Sequence, residues 1–255
     1  MIERTVLELL LLALRTASFV VFFPVFNDGR LPRLVKIGFS LSLAWLLFTT
    51  PGSALQAGLT VTNIHWIRLA ILVIGEVLFG AALGFAFGIL IEPARIAGAY
   101  IGQELGLTMA ATTDPTRNQQ TNVVTQIFES LAVLAFFVLD IHHVFLRVMK
   151  VSLVEFPIGQ GIVLLPGTAA AHQADLASRW GLMIASPVGI CLFITIVALG
   201  LLMRSVPQMN VFAVGLSIRL GVGLFATVLF LPVMFEMISR VLRQAEFVVP
   251  TFFST

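Results

Sequence analysis

Long unbroken apolar runs constrain this chain more than any other feature. Residues 69–91 are interrupted only by Glu76, residues 180–203 only by Pro187, and residues 211–238 hold Arg219 and Pro232. A helix that crosses a bilayer needs about 20 apolar residues, and these three runs meet that length. Two further runs, 37–50 and 130–139, fall short of it. Residues 5–26 run up to Pro24 and carry Glu8 and Arg15. Short, proline-bent and charge-bearing segments are poor lipid-facing spans but are tolerated when buried against protein.

Composition supports the same reading. Of the 255 residues, 58% are hydrophobic and 11% charged, against roughly 25% charged in an average soluble domain. So little charge does not cover a water-soluble globule of this size. That excludes a soluble enzyme, a nucleic-acid binder and a disordered chain. The expected fold is all-α, a polytopic helical membrane protein of six or seven helical segments forming one domain over residues 1–255. The N-terminal apolar stretch, flanked by Glu3, Arg4, Glu8 and Arg15, reads as retained and not as a cleaved signal. Arg30, Arg33 and Lys36 place the 27–36 turn in the cytoplasm by the positive-inside rule.

Boundaries follow from the punctuation. Glu92, Pro93 and Arg95 predict a break or cap after residue 91. Residues 112–122 are a polar loop, and residues 156–179 read as a loop before the run at Trp180. The tail from residue 239 suits a short amphipathic helix. Nearly all the basic residues are Arg, with only Lys36 and Lys150 as Lys. Arg suits dry hydrogen-bonded pairing, although GC-rich coding gives the same bias. Cys191 stands alone and reads as a small apolar packer.

Two glycine ladders stand out: Gly80, Gly84, Gly88 and Gly98, Gly102, Gly106. Residues four apart on a helix share a face, and glycine there lets a second backbone approach. The ladders mark a packing seam, either between subunits or within the chain. Ionisable residues inside apolar runs form the second pattern: Glu8, Arg15, Glu76, Glu104, Asp140, His142, His143 and Arg219. Each costs about 2.5–3.5 kcal/mol at a lipid-exposed helix centre, so most must face partners, water or headgroups. A proton path, a wet protein-lined conduit and interfacial placement near helix ends (for Glu8, Arg219 and Arg147) all remain open.

Asp140, His142 and His143 are the one cluster with metal-ligating side chains in near succession. Adjacent helical histidines project about 100° apart, so the three are not expected to hold one ion. Asp140 and His143, three apart, are placed to pair by hydrogen bond. No phosphate loop, H-E-x-x-H or G-x-S-x-G is present. Gly221 and Gly223 match a loose dinucleotide fingerprint, but no strand precedes them. No catalytic residue, cofactor or metal is expected. The stretch 106–122 runs from a glycine ladder through Met109 to Asp114-Pro115, a turn signal. Deformable Met109 suits a loop that occludes an opening; a plain solvent-exposed connection is the alternative.

Taken in order, several fragments resemble one family. They are Arg15 and Pro24, LPRLVKIG (31–38), GEVLFGAALGF (75–85), IAGAYIGQELGLTMA (96–110), Asp114-Pro115, Asp140-Ile141-His142, FPIG (156–159) and VPQMNVFAVGLSIRLGVG (206–223). The family is that of the flagellar biosynthetic protein FliR and its injectisome counterparts, the export-gate subunits of type III secretion.

The resemblance implies bent helical hairpins that pack with FliP-like and FliQ-like subunits into a helical export-gate assembly. FlhB-like and FlhA-like proteins would stand alongside. It implies a conduit for unfolded export substrates, in the bacterial inner membrane at the flagellar basal body. A plug loop would map onto Gly106, Leu107, Met109, Thr112, Asp114 and Pro115. Three departures stand in this chain. Met109 and Thr112 replace the family's usual loop aromatics, Glu104-Leu105-Gly106 replaces Gln-Met-Gly, and Asp140-Ile141-His142 replaces Asn-Gly-His. VPQMNVF tilts the reading to the flagellar branch over the injectisome one. A proton-coupled transporter using Glu76 and Asp140 is the rival of a different class.

Overall fold

The computed structural model describes residues 2–23, 26, 32–50, 66–107, 122–159, 167–205 and 211–243. Among them the regular structure is helical, with no strand. The helices are α1 (Ile2–Phe22), α2 (Arg33–Thr49), α3 (Trp66–Glu104), α4 (Val123–Val138), α5 (Ile141–Glu155), α6 (Gly167–Ser205) and α7 (Val211–Arg243). Thr5–Phe22, Trp66–Glu104, Ala171–Leu202 and Val214–Arg243 are long and apolar enough to cross a membrane. A fifth span results if α4 and α5 form one broken span.

Several boundaries differ from the expected ones. α3 runs through Pro93 without a break. A proline removes one intrahelical hydrogen bond, but apolar surroundings keep the other carbonyls from defecting to water, and Pro93 and Ala94 are buried. α6 begins at Gly167, well before Trp180, so HQADLASR is helical and not a loop. Its alanines favour helix, and Asp175 and Arg179 pair across one turn at 2.9 Å. Residues 127–148, apolar apart from Glu129, Asp140, His142, His143 and Arg147, are divided between two helices. α4 ends at Val138, and Asp140 adopts the left-handed conformation with φ 57° before α5 starts. Asp is among the few residues that enter that region without a large steric penalty. α2 starts at Arg33, inside the expected polar turn. α7 extends to Arg243, and the rest of the expected tail helix lies outside the described residues.

The chain forms two compact units. The first comprises Met1–Leu90, Asp140–Gln173 and Gln244–Thr255. Its core is aromatic. The Phe145 ring lies 4.6 Å from Phe19 and 5.4 Å from Phe23, and Phe87 meets Phe19 edge-on at 5.9 Å. Edge and tilted pairs of this kind add to the burial term. α1 and α2 lie together, with the Thr16 hydroxyl 3.1 Å from the Ser40 carbonyl.

The second unit comprises Ile91–Leu139 and Ala174–Arg243. There α4 packs on α7. Ala97, Ile101, Leu105, Phe128, Ile184, Val188 and Leu192 are fully buried or nearly so.

Candidate functional site

In the first unit the sequence places Arg15 on α1 and Glu76 on α3, and the fold joins them. Arg15 Nε donates to Glu76 Oε2 at 2.5 Å, with both side chains 3% exposed. Arg15 Nη1 donates to the Phe156 carbonyl at 3.0 Å and lies 3.3 Å from that of Ser152. The Gly159 amide donates to Glu76 Oε1 at 3.0 Å, and the guanidinium sits 4.7 Å above the Phe79 ring. A buried ion pair endures only when its remaining hydrogen-bonding capacity is used. Here the carbonyls at the end of α5 and the amide of the FPIG turn use it. Glu8 is also buried.

The first ladder explains how α3 comes so close to α1. A Cβ on Gly80 would collide with Ser18 Oγ and the Arg15 carbonyl, and one on Gly84 would lie 2.6 Å from the Phe19 carbonyl. Gly88 is half-buried. In the second unit a Cβ on Gly98 would lie 2.6 Å from Thr125 Cα, and one on Gly102 would overlap the Asn122 side chain. Of the two readings of the ladders, the contacts at these four glycines are with the same chain.

Glu104 and Arg219 meet at the end of α3. Arg219 Nη2 donates to the Glu104 carbonyl at 2.6 Å and to its carboxylate at 3.0 Å. Arg219 thus has a carboxylate partner inside the chain. Next to it, Gly106 has φ 77°, which a glycine adopts without strain, and a Cβ there would lie 2.7 Å from Leu216 Cδ1. Leu105 fills the space over Gly223. Asn122, whose side chain covers Gly102, caps α4 by accepting from the Val124 amide at 3.0 Å. So the last turn of α3 is gripped by α7, and the first residue before α4 returns to it. Gly106 and Leu107 belong to this neck; Met109, Thr112, Asp114 and Pro115 lie outside the described residues.

Sequence reading missed a third pair. Arg95 Nε donates to Glu129 Oε1 at 2.6 Å and its Nη1 to Glu92 Oε2 at 3.2 Å. A carboxylate inside the apolar stretch of α4 was the available signal. Arg15, Glu129 and Glu104 thus find charged partners within the chain.

Asp140, His142 and His143 lie at the start of α5. His143 Nε2 is 4.0 Å from Asp140 Oδ1, beyond hydrogen-bonding reach, so the expected hydrogen bond is not formed. The expected divergence of the histidines is not seen either. Their ring centroids are 4.2 Å apart.

The model of the bacterial export proteins, family 1, matches residues 6–245. The flagellar biosynthetic protein FliR of Pectobacterium carotovorum subsp. carotovorum is 32% identical over 220 residues, covering 86% of this chain and 82% of the relative. FliR of Bacillus subtilis (strain 168) is 28% identical over 236 residues, 91% of this chain and 89% of the relative. The surface presentation of antigens protein SpaR of Shigella sonnei is 25% identical over 211 residues, 83% and 80% respectively. A match across nearly the whole length of an all-helical, membrane-spanning fold means that the chain belongs to the bacterial export proteins, family 1.

Proposed function

We propose that this chain is a subunit of the flagellar type III protein export gate. Acting as one membrane domain over residues 1–255, it supplies helices to the protein-conducting channel. Residues 106–115 plug that channel when it is closed. It works beside FliP-like and FliQ-like subunits, with FlhB-like and FlhA-like proteins, in the bacterial inner membrane at the flagellar basal body. Unfolded export substrates are its cargo, and it catalyses no reaction.

The observation that carries this reading is the gripped neck at the end of α3. Glu104 is bound through its carbonyl and carboxylate by Arg219, and Gly102 is covered by Asn122. Such a neck brings Gly102 and Asn122, on either side of the proposed plug, into contact, and a plug requires anchored ends. The names of the relatives from Pectobacterium and Bacillus favour the flagellar branch. The likeness to SpaR supports an injectisome subunit as the second reading. Export of flagellar rather than virulence substrates by cells carrying this chain separates the two.

The test is deletion of residues 109–113. Purified gate complexes with the shortened chain should assemble normally and leak ions when reconstituted in planar bilayers. Closed-state conductance equal to that of the intact complex would refute the plug.

A further inference from the structure

We propose that Asp140, His142 and His143 bind a divalent transition-metal ion at the start of α5. Their three ligand atoms all lie within 4.8 Å of one another. Asp140 Oδ1 is 3.9 Å from His142 Nε2 and 4.0 Å from His143 Nε2. Ligands on one tetrahedral zinc stand about 3.4 Å apart, given metal–ligand bonds of about 2.1 Å.

The backbone already provides the unusual part. Asp140 is the one non-glycine residue with positive φ among the described residues. It occupies the N-cap position of α5, yet its side chain makes no capping hydrogen bond. A carboxylate at that position ordinarily accepts from the first amides of the helix. Here it stands beside two neighbouring imidazoles instead, whose rings are tilted by 37°.

Access and chemistry agree with an open site. The Asp140, His143 and His142 side chains are 75%, 66% and 36% exposed, so an ion can enter and keep water on its remaining positions. Two imidazoles and a carboxylate suit zinc, copper, nickel or cobalt. They do not suit magnesium or calcium, which take oxygen ligands. With neutral imidazoles, the single carboxylate leaves one positive charge on the ion, which water or an external anion can share. An ion held here would tie the N-cap to the first turn of α5 and fix the point where that helix begins.

The experiment uses the full chain without a polyhistidine tag, in detergent micelles, stripped by chelator and dialysed. Zinc is titrated by calorimetry and cobalt by visible absorption. One equivalent should bind, with cobalt d–d bands and no competition from excess magnesium. His143→Ala and Asp140→Asn should each weaken zinc binding by at least about tenfold, the loss that even a supporting residue causes at metal sites. Asn tolerates the left-handed conformation and His143 is exposed, so both variants should keep the fold, checked by circular dichroism. Binding that is unchanged in both variants places the ion elsewhere, at His65 or His172, and overturns the site. Failure of the intact chain to bind zinc or cobalt overturns it as well.

Discussion

At Arg15 one guanidinium meets a carboxylate, two backbone carbonyls and an aromatic face. Removing one member of such a buried pair leaves the other charged and unpaired, a loss of about 3–5 kcal/mol. Arg15→Met or Glu76→Leu alone should therefore lower the thermal midpoint of the detergent-solubilised chain sharply. The double variant should recover part of the loss. Recovery stays incomplete because the Phe156 carbonyl and the Gly159 amide lose their partners in it. Glu104 and Arg219 behave differently, being about a third exposed. Solvent screening keeps their Coulombic gain to about 1 kcal/mol or less. Since Arg219 also holds the Glu104 carbonyl, Glu104→Gln should be milder than Arg219→Leu. Thermal unfolding of the two variants side by side checks the order. A reversed order would mean that the carboxylate, not the carbonyl, is what Arg219 secures.

Glycine acts at the scale of the element, and its sign depends on what faces it. In a helix interior, Gly→Ala gains roughly 0.5–1 kcal/mol from backbone entropy alone. Gly38 on α2 has nothing within 4 Å of a built Cβ, so Gly38→Ala should stabilise by about that amount. At Gly84 the same methyl would lie 2.6 Å from the Phe19 carbonyl. Gly84→Ala should destabilise by about 1–3 kcal/mol, the range for overpacking, with Gly84→Leu worse. Chemical or thermal unfolding of both variants in one detergent tests the contrast. The ladder spacing made these close approaches legible in the sequence, but not the partner, because spacing on one helix says nothing about which helix meets it. The breaks were harder to read. Glu92-Pro93 looks like a stop by local propensity, and the helix continues because its neighbours are buried apolar residues. The apolar run 130–139 stops before Asp140, but no pattern of apolar residues encodes the left-handed turn that Asp140 takes there. HQADLASR follows a related rule: its polarity suggests a loop, but its alanines suit a helix.

For the whole molecule, the apolar runs told the fold class, and charge pairing across 61 residues, as between Arg15 and Glu76, could not be told from one sequence. The pairs inside the chain change what its outer surface must do. With Arg15, Arg95 and Arg219 each paired to a carboxylate inside the chain, the exterior of the second unit is left strongly apolar. On α7, Phe225 is 71% and Val228 72% exposed. Such a face is stable only against lipid or another greasy surface, because exposed apolar patches of this extent on a lone soluble chain invite association. A charge placed there touches little of the chain itself. Val228→Asp should leave the unfolding midpoint in detergent nearly unchanged, since surface substitutions away from special features stay within about 0.5 kcal/mol. In the membrane the same aspartate costs about 2.5–3.5 kcal/mol at a helix centre, or clashes with an apolar neighbour. Recovery of the chain in the membrane fraction, and of assembled gate complexes from it, should therefore fall severalfold. Val228→Leu should do neither. If Val228→Asp lowered the midpoint in detergent as much as Gly84→Leu does, the side chain would be part of the core, and this face of α7 would not be the one turned to the surroundings.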